Sequence, residues 1–144
     1  MDLFNYQPRR SHEVHIGNKP LGGQQPLRLQ SMTTTLTTDT EASVAQCIAI
    51  IEAGADYVRL TTQGVREAEN LRSIREALHR RGFDTPLVAD VHFNPKVADV
   101  AAGIVEKVRI NPGNYVDPAR TFKELEYTDE EYAAELARLE DRFV

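Results

Sequence analysis

The sequence predicts an α/β fold, the N-terminal half of a (β/α)₈ TIM-type barrel preceded by a short β-hairpin. Three observations carry this expectation. Short strand candidates rich in valine, leucine and isoleucine alternate with segments whose apolar residues recur at helical spacing. The alternation repeats about every 20 to 30 residues, which calls for parallel strands joined by right-handed crossovers. Counting Leu27–Gln30, Tyr57–Leu60, Leu87–Ala89 and Val105–Ile110 gives four units, whereas a closed barrel needs eight strands and about 250 residues. A complete, small doubly-wound sheet is the alternative. It would want a glycine-rich phosphate loop after its first strand, where this chain has TTTLTTDT.

Taken in order, residues 1–26 are expected to form an N-terminal extension and hairpin, and residues 27–144 the first half of a substrate-binding barrel. Glu13 to Ile16 and Leu27 to Gln30 flank the turn-rich Gly17-Asn18-Lys19-Pro20-Leu21-Gly22-Gly23, the pattern of a hairpin-like entry. Thr38 and Glu41 have capping-box spacing and announce a helix with Val44, Ile48, Ile51 and Ala55 on one face, with Gly54 near its end. The strand Asp56 to Leu60 leads through Thr61-Thr62-Gln63-Gly64 into a helix carrying Val65, Ala68, Leu71, Ile74 and Leu78 and closing at Gly82. Thr85 to Ala89 is the third strand. Asn94 and Pro95 then supply an N-cap and a first-turn proline for a short helix with Val97, Val100 and Ala101. Ile104 to Ile110 is the fourth strand. Thr128 and Glu131 form a second capping box, ahead of a helix with Tyr132, Leu136, Leu139 and Phe143 on its apolar face.

The totals exclude several classes. Of 144 residues, 41% are hydrophobic and 27% charged, as in an ordinary water-soluble domain. The net charge of −5 offers no global attraction to nucleic acid or to acidic membranes, so an anion site must be a local cluster of cations. The longest apolar runs are too short to span a bilayer, and the N-terminus lacks the apolar region of a signal peptide. The single cysteine, Cys47, allows no internal disulfide. A reducing, cytoplasmic location fits that count.

In a parallel α/β array, ligands bind beyond the carboxyl ends of the strands. There the sequence places Gln30, Ser31 and Thr33 to Thr35, then Arg59 with Thr61 and Thr62, then Asp90 and His92, then Arg109, Asn111 and Asn114. These are parts for an anionic, oxygen-rich ligand, because arginine grips phosphate bidentately and neutral amides orient hydroxyls. Plainer readings stand beside these. Arg59 or Arg109 makes an ordinary strand-end ion pair with Asp56, Asp90 or Glu106; His92 caps or packs; Asp90 accepts loop amides. The later threonines of Thr33 to Thr38 are solvated loop, the arginines from Arg72 to Arg81 a solvated helix face, and Cys47 a packing residue. Asp90-x-His92 offers two candidate metal ligands and no third, so no metal site is expected within this chain.

The wording of several segments resembles one family. Gly17-Asn18-x-Pro20-Leu21-Gly22, QSMTTT from Gln30, Gly54-Ala55-Asp56-x-Val58-Arg59, LVADVHF from Leu87 and RINPGN from Arg109 follow one another as in 4-hydroxy-3-methylbut-2-enyl diphosphate synthases of the non-mevalonate isoprenoid pathway. The segment from Thr121 to Val144 is similar to the larger, three-domain form. The resemblance implies a barrel that holds 2-C-methyl-D-erythritol 2,4-cyclodiphosphate. It also implies a separate domain with a 4Fe–4S cluster held by three cysteines and a glutamate. Ferredoxin or flavodoxin would deliver the electrons that open the ring reductively to the allylic diphosphate. Carried over by motif, Arg59 and Arg109 would clamp the diphosphate, His92 would add a donor, and Asn111 and Asn114 would shape the rim. Asp90 would either orient His92 or meet the substrate's hydroxyl side. The cluster ligands are outside this chain, so it is expected to be an N-terminal fragment, inactive alone and with exposed strand edges. A homodimer is expected for the full-length enzyme only. The rivals are another anion-binding barrel, such as a pterin-binding synthase, and a non-catalytic flavodoxin-like module.

Overall fold

Four short strands, β1 (Gln30–Met32), β2 (Tyr57–Thr62), β3 (Leu87–Val91) and β4 (Lys107–Arg109), form one parallel sheet in the order β1-β2-β3-β4. The structure is a computed structural model that describes residues 5, 9–115 and 126–143. Helices α1 (Thr40–Glu52), α2 (Val65–Arg80) and α3 (Pro95–Ala102) make the crossovers, and a 3₁₀ turn (Pro112–Asn114) and α4 (Asp129–Phe143) follow β4. Strand order never reverses along the chain, so there is no switch point of the doubly-wound kind. Helices α1, α2 and α3 pack on one face of the sheet, as the right-handed crossovers usual between parallel strands would place them in a barrel wall.

The period-2 alternation of the strands divides that wall into two unlike faces. Val58 and Leu60 of β2 and Leu87, Ala89 and Val91 of β3 pack with Val44 and Cys47 of α1, Leu71, Ile74 and Leu78 of α2, and Val97 and Ala101 of α3. On the other face Tyr57 and Val88 are buried near the strand starts beneath Ile16, with Leu21 against them. The N-terminal segment thus closes one end of the face opposite α1, α2 and α3.

Local signals hold at most boundaries. Asn94 caps α3, its side chain accepting from Lys96 N, and Pro95 opens the helix. Gly82 follows α2 at φ +86°, a left-handed turn that glycine adopts without strain. Thr128 and Glu131 form the reciprocal capping box at α4: Thr128 N donates to Glu131 Oε2 at 2.9 Å and Glu131 N to Thr128 Oγ1 at 3.3 Å.

Four expectations are corrected. Glu13 to Ile16 does not pair with Leu27 to Gln30; the entry is a single antiparallel bridge between Val14 and Leu21. Leu27 and Leu29 are exposed, and β1 begins only at Gln30, where β2 offers a ladder. The cap of α1 is Asp39 rather than Thr38, with Ala42 N donating to its Oδ1 at 3.1 Å. Thr37 is buried rather than solvated: its hydroxyl donates to Thr61 O at 2.6 Å, and Asn70 Nδ2 donates to Thr37 O. The apolar stripe of α4 is present, but Tyr132 and Leu136 on it are exposed. The side chain of Phe143, and residues 121–125 and 144 of the stretch likened to the larger form, lie outside the described residues.

Candidate anion site at the strand ends

Strand register decides which side chains meet. Met32 pairs with Arg59, Thr61 with Asp90, and Asp90 with Arg109. Cross-strand partners share a face, and Arg59 alternates with the core residues Val58 and Leu60, so this row occupies the face opposite α1, α2 and α3. Met32, Asp90 and Arg109 stand toward the carboxyl ends of their strands, with Arg59 at mid-strand in β2 and Thr61 beyond it.

Asp90 is the hub. It is only 3% exposed, yet three basic side chains converge on its two oxygens. Arg109 Nη1 donates to Oδ1 at 3.0 Å, Arg59 Nε lies 3.6 Å from Oδ2, and His92 Nε2 lies 3.4 Å from Oδ2. Of the ion-pair partners open to the two arginines from sequence, it is Asp90 that both meet. Asp56 is engaged elsewhere, with Lys19 and Arg28, and Glu106 with Arg75. The arginines are not consumed by the contact. Their side chains keep 31% and 40% of their exposure, so two guanidinium groups present more positive charge than one carboxylate cancels. Desolvated on one side and wet on the other, this pairing is a preorganised cation cluster facing solvent.

The loops after β3 and β4 shape the margins. Phe93 holds a left-handed backbone, φ +58°, unusual for an aromatic residue, and its ring centroid lies 6.0 Å from that of His92. The turn brings the chain directly from His92 into the Asn94 cap of α3. After β4, Asn111 Oδ1 accepts from Gly113 N at 3.2 Å, so this amide oxygen closes the Pro112–Asn114 turn while the side chain stays partly exposed. Asn114 lies in that turn, but its side chain is outside the described residues.

The structure therefore brings Arg59, Asp90, His92 and Arg109 together and leaves Asn111 on the adjoining turn. The polar groups after β1 serve otherwise. Gln46 of α1 takes Thr34 N and Thr35 N on its side-chain oxygen, and Thr35 Oγ1 pairs with Ser43 Oγ. Met32, unmarked by the sequence, belongs to the cluster: Arg59 Nε and Nη2 donate to its sulfur at 3.3 and 3.2 Å. Its place as the last residue of β1, level with Arg59, is the signal that marks it. Thr33 is buried beside it, and its Oγ1 has no hydrogen-bond partner among the described residues.

Cys47 does not fit a cluster ligand. Burial among the aliphatic side chains of α1 and the sheet pushes its thiol pKa up to about 12, whereas a ligand must be a thiolate. Among the described residues no group of three or more histidine, cysteine or acidic side chains is placed to hold a metal ion. No helix among them is long and apolar enough to cross a membrane.

The model of the GcpE TIM-barrel domain matches residues 11–137. The chain belongs to that family. It is 69% identical over all 144 residues to 4-hydroxy-3-methylbut-2-en-1-yl diphosphate synthase (flavodoxin) of Phocaeicola vulgatus, of which it covers 24%. It is also 69% identical to the enzyme of that name from Bacteroides fragilis, covering 23% of it. To that of Chlorobaculum tepidum it is 49% identical over 141 residues, covering 19%. The chain thus spans about a quarter or less of the length of these relatives. In a barrel wall, the face opposite the helices is the inner one, and Asp90 and Arg109 stand toward the carboxyl-terminal end, where barrels generally bind their ligands.

Proposed function

We propose that this chain supplies the diphosphate-binding part of the barrel in a 4-hydroxy-3-methylbut-2-en-1-yl diphosphate synthase that acts on 2-C-methyl-D-erythritol 2,4-cyclodiphosphate. One observation carries the reading: Arg59 and Arg109, from strands on either side of β3, lean on the buried carboxylate of Asp90 while their side chains stay partly exposed. A cyclodiphosphate entering from the mouth would meet two forked cations held at fixed separation. As the ring opens, negative charge grows on the diphosphate, and preorganised cations stabilise that charge without rearranging. His92, beside Asp90 Oδ2, adds a donor at the same margin, and Asn111 borders it on the β4 side.

The division of labour rests on the cysteine: Cys47 is a buried packing residue, so in this reading a reducing cluster would be held by residues outside this chain. In this reading the segment binds and orients substrate but transfers no electrons. The relatives' name specifies flavodoxin, so reduced flavodoxin is the proposed electron donor. The test uses the full-length protein. Arg109→Ala should weaken cyclodiphosphate binding by about tenfold or more, the scale of a lost charge-assisted contact, while the visible absorbance of the cluster stays unchanged. Calorimetric affinity equal to the parent's would overturn the clamp.

A further inference from the structure

We infer that Met32 is a positioning residue for the anion site, fixing Arg59 through its thioether sulfur; this rests on Arg59 acting as a ligand cation. Met32 ends β1 in register with Arg59 of β2, so the two side chains rise from neighbouring strands on the same face. Both Nε and Nη2 of the guanidinium donate to Sδ, at 3.3 and 3.2 Å. That is one whole edge of the planar group. The Asp90 carboxylate stands 3.6 Å from Nε, and the Arg59 side chain keeps 31% exposure through which a ligand can reach it.

The chemistry of the acceptor is the point. A long arginine side chain loses much rotamer freedom when it is pinned, and a cation pinned only on binding costs affinity. A second carboxylate would pin it, but would also cancel its charge. A thioether is neutral, polarisable and weakly accepting, so it holds the guanidinium plane while leaving its charge for the ligand. Met32 is half-buried, which limits competition from water for the sulfur. Asp90 then restrains both arginines by charge, and Met32 sets the orientation of one of them.

The experiment is a double-mutant cycle on the full-length enzyme, read by calorimetric affinity for inorganic pyrophosphate and for the cyclodiphosphate, with kcat and KM alongside. Met32→Leu keeps the apolar volume and removes the acceptor. It should weaken both affinities and raise KM by about three- to tenfold, the range of one modest hydrogen bond, with kcat and the thermal midpoint little changed. Met32→Gln, which restores an acceptor on an unbranched chain of similar length, should recover most of the loss. In an Arg59→Ala background Met32→Leu should have no further effect. Full affinity in Met32→Leu, or an equal loss with and without Arg59, would overturn the inference. Parent-like affinity in Arg59→Ala alone would instead remove the ligand role of Arg59, and the inference with it.

Discussion

The two ends of the same sheet each hold acidic side chains gripped by cations, and they are wired differently. At the strand starts, Asp56 pairs with Lys19 and Arg28, and Glu106 pairs with Arg75. Both also accept a backbone N–H across the sheet: Leu29 N donates to Asp56 Oδ2 at 3.0 Å and Leu87 N to Glu106 Oε2 at 2.9 Å. These acids tie the entry of one strand to its neighbour. At the carboxyl ends, the partners of the Asp90 carboxylate among the described residues are the side chains of Arg59, Arg109 and His92. Acids at the starts spend their hydrogen bonds on the backbone and so on the fold. The acid at the ends spends them on movable cations, and so on what those cations can hold. Barrel architecture has the same division, with stability at the amino-terminal face and chemistry at the carboxyl-terminal one.

The contrast is broken most forcefully at Glu106. Glu106→Ala leaves the buried Leu87 N–H without its acceptor and Arg75 without its partner, and Arg75 Nε is already unpaired among the described residues. A loss of about 2 kcal/mol in unfolding free energy is expected, the scale of a stranded buried donor. Denaturant titration of the full-length protein would measure it, while the cyclodiphosphate affinity of the folded fraction should hold. Asp90→Asn should do the reverse. The amide keeps the shape but frees both arginines, so kcat/KM should fall by about tenfold, roughly the worth of one charge-assisted hydrogen bond. The thermal midpoint should move little, because both guanidinium groups can rehydrate. A large drop in midpoint with unchanged kcat/KM would make Asp90 another structural acid and erase the distinction between the ends.

Much of this division is visible in the residues, and its gaps have physical causes. Arg59 and Arg109 are conspicuous because each alternates with aliphatic residues on a pleat, which forces them onto the opposite face. Asp90-x-His92 follows the same period. What bound them together could not be seen: any of three acids was a fair partner, and only register places Asp90 between them. Met32 was invisible because the expected strand ended at Gln30, and its acceptor role depends on the neighbour that pairing supplies. At the N-terminus, Leu27 and Leu29 resembled strand residues, yet a strand exists where a partner ladder is available, and β2 offers one only from Gln30 onward. Thr38 and Asp39 are both good caps one residue apart. The burial of Thr37 against Thr61 O goes with Asp39 in that role.

The smallest expected effect lies at Asp56, and it carries its own pH signature. Its pKa is held below the ordinary carboxylate value, first by the Leu29 N–H and then by Lys19 and Arg28. A carboxyl whose folded pKa is depressed stabilises the fold above its unfolded pKa of about 3.9 and loses that contribution as pH falls through the lower folded value. Asp56→Asn should therefore be slightly less stable than the parent at neutral pH, and the difference should shrink below about pH 4 and vanish in stronger acid. Thermal midpoints of both proteins from pH 7 down to about pH 3 would show the two curves converging. Glu106→Ala should show a gap at neutral pH too, but a larger one, because it strands a buried amide. Parallel Asp56 curves with a constant gap would mean that the carboxylate charge is not what ties β1 to β2, and that the strand starts are joined by shape alone.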